Sequence, residues 1–567
     1  MLEVRNLSIA FKTAAGLKSA VRDVSFTIRP GEILGLVGES GSGKTLTSLG
    51  VMGLLPPNAV VTRGEVLVDG VDLIKRTPAE LRRLRGRHVA MIFQDPMASL
   101  DPIFTCGDQI VEAILLHEPI GKAAARRKAL ELLEKVHIPD PARRMRAYPY
   151  ELSGGQCQRV MIAMAVSCKP RIIIADEPTT ALDVTVQKEV LDLLRGLNAE
   201  VGAAILLITH DLGVIYEVAD RVAVMYAGEL MEEAATRDLF AHPQDDYTKA
   251  LIDSMPSLGL RQERLPVIER DAEGRVRSVR PQPRTRPAET GAPVAVDPHP
   301  LLELKDLRKS YWVKPTPLAA AVAMHAVDGV SFSIAPRTTL GLVGESGCGK
   351  TTLSRAIMRL SNPDSGQILF KGRDIAQLSE RAMRPFRREI AMVFQNPYGS
   401  LNPRQTVADL VEAPMVIFEE GTPAERGKHM LQLLDAVGLP RSAAAKYPHE
   451  FSGGQRQRIA VARALALKPA LVICDEAVSA LDVSVQAQVL NLLKDLQVEF
   501  DLTYLFISHD LSVVEHISDT IAVMQKGRIV EAGPAEAIFK APQHVYTRVL
   551  LDAVPTIGAK RAGRGHA

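Results

Sequence analysis

Two octapeptides carry the plainest chemistry in the chain: "GESGSGKT", Gly38 to Thr45, and "GESGCGKT", Gly344 to Thr351. Both fit the spacing GxxxxGK[ST]. Glycines at those positions let backbone N–H groups curl around a phosphate without Cβ clashes. The lysine reaches the β/γ oxygens, and the following hydroxyl ligates Mg²⁺. At ordinary glycine frequency one chance match in a chain this long has odds of roughly one in fifty; two, each set between an apolar run and a helical pattern, exceed chance. The expected phosphate-contacting residues are Gly38, Ser40, Gly41, Gly43, Lys44 and Thr45, and in the second copy Gly344, Ser346, Gly347, Gly349, Lys350, Thr351 and Thr352. Thr45 and Thr351 are the expected metal-side hydroxyls.

An acid pair follows an apolar run in each half: "IIIADE" ends in Asp176 and Glu177, "LVICDE" in Asp475 and Glu476. The aspartate can hold Mg²⁺, and the glutamate can orient or deprotonate a water attacking in line with the leaving oxygen. Alone such a pair is weak, but after a phosphate loop it is specific. A third repeat, "LSGGQ" and "FSGGQ", offers a hydroxyl, free N–H groups and a helix dipole to an anion at Ser153, Gly154, Gly155 and at Ser452, Gly453, Gly454.

These motifs recur in one constant order, at offsets of 306 (Gly38 to Gly344), 301 (Gln94 to Gln395) and 299 (Ser153 to Ser452, Glu177 to Glu476, His210 to His509). The chain is therefore one domain of about 250 residues written twice, too long a period for a solenoid. The division expected is 1–260, a linker 261–299, and 300–567. Arg261 to Pro287 holds eight arginines against four acids and reads as a solvated tether with room for a short strand or two. Apolar runs ending in polar residues, "RIIIADEP" and "AAILLITHD", predict buried parallel strands with site residues at their C-terminal ends. Ala129, Leu132, Leu133 and Val136, echoed by Met430, Leu433, Leu434 and Val437, predict helices with one apolar stripe facing the core.

Composition excludes several classes. A net charge of +2 on 567 residues gives no basic bias for nucleic acid. The five cysteines lack CxxC or zinc spacing and suit a reducing compartment. No run approaches ~18 apolar residues, and the N-terminus lacks a signal-peptide core.

Taken together, the motifs resemble those of the ATP-binding cassette (ABC) ATPases. The resemblance implies an α/β fold of two tandem nucleotide-binding domains, each a RecA-like P-loop core with an antiparallel β subdomain and a helical insert. ATP and Mg²⁺ are the implied ligands. Gln94 and Gln395 resemble the glutamine loop, which touches the metal and joins core to insert. Asp183 and Asp482 resemble the loop that crosses the dimer interface, and His210 and His509 the switch histidine at the γ-phosphate. Phe11 and Tyr311 are candidates to stack on adenine. In this family two cassettes pair head to tail, each nucleotide lying between one P-loop and the opposite signature; here that pairing falls within one chain.

"FQDPMASLDP", "ALDVTVQ", "FQNPYGSLNP" and "ALDVSVQAQ", with the extensions "HPQDDYTKALIDSMP" and "APQHVYTRVLLDAVP", are similar to the peptide and nickel importer branch. That branch implies a peripheral ATPase on the cytoplasmic face of the inner membrane. It would act with two integral-membrane permease subunits and, through them, an extracytoplasmic substrate-binding protein, importing peptides of dipeptide, oligopeptide or glutathione type. The alternatives are a nickel importer and a soluble twin-cassette ATPase on ribosome or DNA; the latter would show a charged helical arm or zinc-spaced cysteines. Three departures stand out: Phe451 for the signature leucine, Ala477 where the first half has Pro178, and Cys157 and Met164 where the second has Arg456 and Arg463. Intact Glu177 and Glu476 predict two competent sites with some asymmetry.

Overall fold

In the computed structural model the described residues are 1–179, 182–256, 258–259, 262–270, 276–282, 299–313, 322–395, 397–479 and 481–555. The two compact units are centred on Met1–Asp253 and on Val279–Val554. Each has the same build.

The first unit is organised on a six-stranded sheet in the spatial order Glu229–Ala235, Arg221–Tyr226, Ile33–Val37, Ala204–Ile208, Ile172–Asp176, Val89–Ile92. All neighbours run parallel except the first pair. Ile33–Val37, Ile172–Asp176 and Ala204–Ile208 are buried at every position, as continuous Ile/Leu/Val runs require when both faces are covered. The second unit repeats the order with Arg528–Pro534, Thr520–Gln525, Thr339–Val343, Thr503–Ile507, Leu471–Asp475 and Ile390–Val393.

A smaller antiparallel sheet accompanies each: Gly16–Ile28, Leu2–Thr13, Ala59–Val68 and Val71–Asp72 in the first unit, with Val322–Ile334, Leu302–Val313, Ser365–Phe370 and Arg373–Asp374 in the second. Their inward residues share one core with the parallel sheet; Leu2, Leu7 and Ile9 pack with Leu34, Ile174 and Leu206. The insert is a trio of contacting helices, Cys106–His117, Lys122–Lys135 and Gly154–Val166 in the first unit. Its counterparts are Val407–Ile417, Pro423–Ala436 and Gly453–Leu465. The apolar stripes lie inward as expected: Ala129, Leu133 and Val136 are buried, as are Met430, Leu433, Leu434 and Val437, while Leu132 is half-buried. No helix among the described residues is long and apolar enough to cross a membrane.

The linker holds the pair of short strands for which its composition left room, and departs from a solvated tether at the residues just before them. Val267–Arg270 and Val276–Val279 pair as a two-stranded sheet. Just before it, Arg264 and Leu265 are buried within the second unit. The Arg264 guanidinium pairs with Asp495 and donates to the Asn491 carbonyl at 2.8 Å. The Asn491 side chain clasps the Leu265 backbone, accepting its N–H at 3.1 Å and donating to its carbonyl at 2.8 Å. Composition predicts solvation here because the receptor lies over 200 residues away in sequence. The linker residues 283–298 and the tail 556–567 lie outside the described residues.

Candidate active sites

The chemistry collects at the C-terminal edge of four adjacent parallel strands, where open α/β sheets bind their ligands. In the first unit Ile33–Val37 delivers the loop Gly38 to Gly43, Ile172–Asp176 the acid pair, Ala204–Ile208 the histidine and Val89–Ile92 the glutamine.

Glycine is required at the loop's first position. Gly38 has φ 147°, and a Cβ there would lie 2.1 Å from the Met225 carbonyl oxygen; Gly344 has φ 153° and would meet that of Met524 at 2.2 Å. Gly43 (φ 99°) and Gly349 (φ 112°) cap the helices that begin at Lys44 and Lys350. Those helix starts leave N–H groups unpaired by the helix itself, a natural anion seat. Both lysines are buried. Lys44 Nζ donates to the carbonyls of Gly38 (2.7 Å) and Glu39 (2.8 Å), and Lys350 Nζ to those of Gly344 (2.7 Å) and Glu345 (2.9 Å).

The buried aspartates stand beside the first turn of these helices. Asp176 accepts from Thr45 Oγ1 at 3.3 Å and Ser48 Oγ at 3.5 Å. Burial and the neighbouring Glu177 charge push its carboxyl up to about 6, against the pull of Thr45, Lys44 and Ser48. Asp475 accepts from Ser354 Oγ at 3.2 Å on one oxygen, while the other is buried without a hydrogen-bond partner. Burial raises it as well. A buried anionic oxygen lacking a donor is costly and fits a cation. The thiol-poor, oxygen-rich donor set of Thr45 and Asp176, and of Thr351 and Asp475, suits Mg²⁺.

Each glutamate is caged. Gln94 Nε2 donates to one Glu177 oxygen at 2.8 Å and His210 Nδ1 lies 3.5 Å from the other. Gln395 and His509 do the same to Glu476 at 2.6 Å and 3.6 Å. Both glutamates have left-handed backbones, φ 48° and 50°, a conformation costing about 1–2 kcal/mol for an L-residue. It is held by N–H bonds to Ile208 O (2.8 Å) and Ile507 O (2.9 Å) on the neighbouring strand. Burial alone would push Glu476 up, but the hydrogen bond and charge of His509, with Lys350 and Gln395, hold it below the usual range. Burial would lower His509; Glu476 reverses this and raises it. The pair is therefore carboxylate and imidazolium over a shared window.

The signature serines cap the helices Gly154–Val166 and Gly453–Leu465. Ser153 Oγ accepts from Gln156 N–H at 3.3 Å while Gln156 Oε1 accepts from Ser153 N–H at 3.2 Å; Ser452 and Gln455 repeat this at 3.4 and 3.1 Å. The terminal glutamine of the motif is thus a capping-box partner, a role readable from the S-x-x-Q spacing but missed in the sequence reading. A Cβ on Gly454 would lie 2.2 Å from Val485 Cγ1, so the signature helix packs directly on Val483–Phe500. At that helix's counterpart, Asp183 accepts from Val186 N–H at 2.9 Å. Phe11 is half-buried, and Tyr311, more than a third exposed, lies under Lys309. The bonds described thus gather the P-loop, acid pair, glutamine and histidine into one cluster per unit. Those of Ser153 and Ser452 run within their own helix ends.

The chain matches the ABC transporter family over residues 21–180 and 327–479, and the C-terminal region of oligopeptide/dipeptide transporters over 231–279 and 530–567. It is 46% identical to the glutathione import ATP-binding protein GsiA of Pectobacterium atrosepticum, covering 100% of this chain and 91% of the relative. The protein of the same name from Escherichia coli O157:H7 is 45% identical, at 99% and 90% coverage. Among solved structures, a dimeric ATP-binding cassette bound to ADP and Pi is 30% identical, covering 42% of this chain and 99% of its own, with a TM-score of 0.39. With both cassettes matched and the full length shared with such relatives, this chain belongs to the ABC transporter family, as an ATPase of two cassettes.

Proposed function

We propose that the chain is the ATP-hydrolysing subunit that energises import of peptides, of dipeptide, oligopeptide or glutathione type, through a separate membrane permease. The observation that carries the catalytic part is the carboxylate held between Gln94 and His210, and again between Gln395 and His509. An acid pinned on both oxygens beside a phosphate loop is preorganised to orient one water. The importer part is supported by the transporter C-terminal region found after both cassettes and by relatives named for glutathione import.

In this reading Lys44 and Lys350 keep the Gly38 and Gly344 carbonyls and turn their other N–H donors to β/γ-phosphate oxygens. Thr45, Asp176 and Gln94, and Thr351, Asp475 and Gln395, hold Mg²⁺, which when bound offsets charge on those oxygens. Glu177 and Glu476 orient the water and receive its proton as its oxygen bonds to the γ-phosphorus and the β–γ bridging bond breaks. His210 and His509 steady the glutamates and meet the γ-phosphate. Ser153, Gly154, Gly155 and Ser452, Gly453, Gly454 present a second anion seat, which the resemblance assigns to the nucleotide of the other cassette. Phe11 and Tyr311 stack on adenine. The functional division is 1–260, 261–299 and 300–567. The chain works peripherally at the cytoplasmic face of the membrane, on two permease subunits fed by an extracytoplasmic binding protein.

The test is reconstitution of the chain with the membrane permease that co-purifies with it, in vesicles supplied with ATP. Uptake of labelled glutathione or short peptides that stops in the Glu177→Gln/Glu476→Gln variant is the expected result. Full ATPase activity with no co-purifying membrane protein and no peptide uptake would sink the importer reading.

A further inference from the structure

The extension after each core sheet ends in a short helix, Asp246–Asp253 and Val545–Asp552, whose "YT" faces inward: Tyr247 is 1% exposed and Tyr546 6%. A buried tyrosine needs a partner for its hydroxyl, and here both hydroxyls reach the phosphate loop. Glu39 N–H donates to Tyr247 Oη at 3.3 Å, and Glu345 N–H to Tyr546 Oη at 3.0 Å.

That N–H belongs to the same planar peptide group as the Gly38 carbonyl, which accepts from Lys44 Nζ; in the second unit the Gly344 carbonyl accepts from Lys350 Nζ. One amide is therefore gripped at both ends, by the extension's hydroxyl and by the loop lysine. Because the peptide is rigid, turning its N–H off the tyrosine swings its carbonyl off the lysine. Hydrogen bonds aligned through an amide also polarise one another. The extension is anchored from behind: Glu232 accepts the N–H groups of Gln244 (2.9 Å) and Asp245 (3.0 Å), and Glu531 those of Gln543 (2.8 Å) and His544 (3.1 Å). Tyr226 stacks on Tyr247 at 4.2 Å between centroids, but Gln525 stands at its counterpart. Ring stacking is thus not the shared feature; the hydroxyl-to-loop bond is.

We propose that Tyr247 and Tyr546 are positioning residues for nucleotide binding. Through the 38–39 and 344–345 amides they set where the loop lysine is held, so the transporter extension tunes the cassette's affinity for the triphosphate. This rests on the ATPase reading of the two loops. The full-length Tyr247→Phe, Tyr546→Phe and double variants keep the ring and lose only the hydroxyl. In the double variant the KM for ATP and the Kd of a non-hydrolysable ATP analogue should rise about fivefold to tenfold, the weight of one hydrogen bond. Turnover at saturation should stay within about twofold and Tm within a few degrees. Amide exchange across residues 34–45 should quicken in Tyr247→Phe while exchange in the helical insert does not change. KM and Kd within about twofold of the parent, or lowered turnover at unchanged KM, would overturn the proposal, as would unaltered exchange in the loop. A parent chain that binds the analogue no better than Lys44→Ala/Lys350→Ala would instead defeat the ATPase reading itself. The two units carry the relay independently, so either single variant can decide if the other folds poorly.

Discussion

The glutamate cages of the two cassettes superpose in chemistry almost bond for bond, whereas the metal-side aspartates and their surroundings do not. Gln–Glu contacts are 2.8 and 2.6 Å and His–Glu contacts 3.5 and 3.6 Å. Asp176 has hydroxyl donors on both oxygens, while one Asp475 oxygen has none. Where the first cassette has Leu49, the second has Arg355, whose charge opposes the burial-driven rise of Asp475. A cavity of about 670 Å³ beside Thr351, Gln395 and Asp475 is lined by Arg355, Arg387, Arg388 and Arg463. By sequence alignment the first cassette offers Leu49, Gly86, Arg87 and Met164 there. The groups proposed to handle the water are thus duplicated strictly, while the surroundings of the aspartate proposed to face the metal and the adjoining groove have diverged. Asymmetry in this chain is to be sought in metal affinity and in what each groove accepts.

The strongest way to break that comparison is to disable the cages separately. Glu177→Gln/Glu476→Gln should lower ATP turnover by about 10²-fold or more, and each single change should remove at least half the rate. An undiminished rate in either single variant would show that cassette to be idle. Proton linkage sharpens the point. His509 is raised, so its contribution is complete below the ordinary imidazole pKa and is lost as pH climbs through the folded value. Glu476 is lowered, so its contribution is present above the ordinary carboxylate pKa and is lost as pH falls through the folded value. The ion pair should therefore be fully formed between about pH 4.5 and 6.5. In Glu476→Gln burial and the Lys350 charge lower the ring and Asp510 alone raises it, and NMR titration should find His509 below the ordinary value. A ring still titrating above it would show that the carboxylate is not what charges this histidine.

Much of this was legible in the sequence because a phosphate cradle demands glycines at fixed spacing and buried parallel strands demand unbroken apolar runs. Gly38, Lys44, Asp176 and the stripe at Leu433, Leu434 and Val437 stand where those demands place them. The cage was only half legible. Gln94 and Glu177 lie 83 residues apart, just after different strands, and nothing local announces that one will grip the other. The left-handed backbone at Glu177 and Glu476 is likewise a product of the neighbouring strand's carbonyl rather than of residue type. The linker misled for a related reason: arginine and proline content predicts solvation, but Asn491 and Asp495 supply a buried receptor that composition cannot see.

That receptor separates the cassettes again, since the positions matching Asn491 and Asp495 are Asp192 and Gly196. Arg264→Ala should take a guanidinium away from the partly buried Asp495 carboxylate and from the Asn491 carbonyl, and cost about 2–3 kcal/mol in the second unit, read as a lower denaturant midpoint. Adding Asp495→Ala should cost less than its own single change, because the carboxylate that faced the guanidinium is then gone as well. A double variant as unstable as the sum of the singles would show the two groups to be energetically unlinked.

The smallest expected effect concerns the signature helix, where the sequence shows Cys157 against Arg456 and so a lost positive charge. The structure gives both side chains one task. Cys157 Sγ donates to the Pro149 carbonyl at 3.3 Å, and Arg456 Nε to the Pro448 carbonyl at 2.6 Å, each eight residues upstream in the turn that leads into the signature. Proline's carbonyl still needs a donor, and a thiol or a guanidinium can supply it. Arg456→Ala, which removes the donor, should cost about 2 kcal/mol, and Arg456→Cys, which imports the first cassette's solution, about 1 kcal/mol. Thermal unfolding would resolve these as shifts of roughly 2–4 °C per kcal/mol. If cysteine proved as damaging as alanine, the Arg456 charge and its second bond, from Nη2 to the His449 carbonyl at 3.3 Å, rather than the Pro448 bond would be what the second cassette uses. The symmetry of the two signature turns would then be one of shape alone.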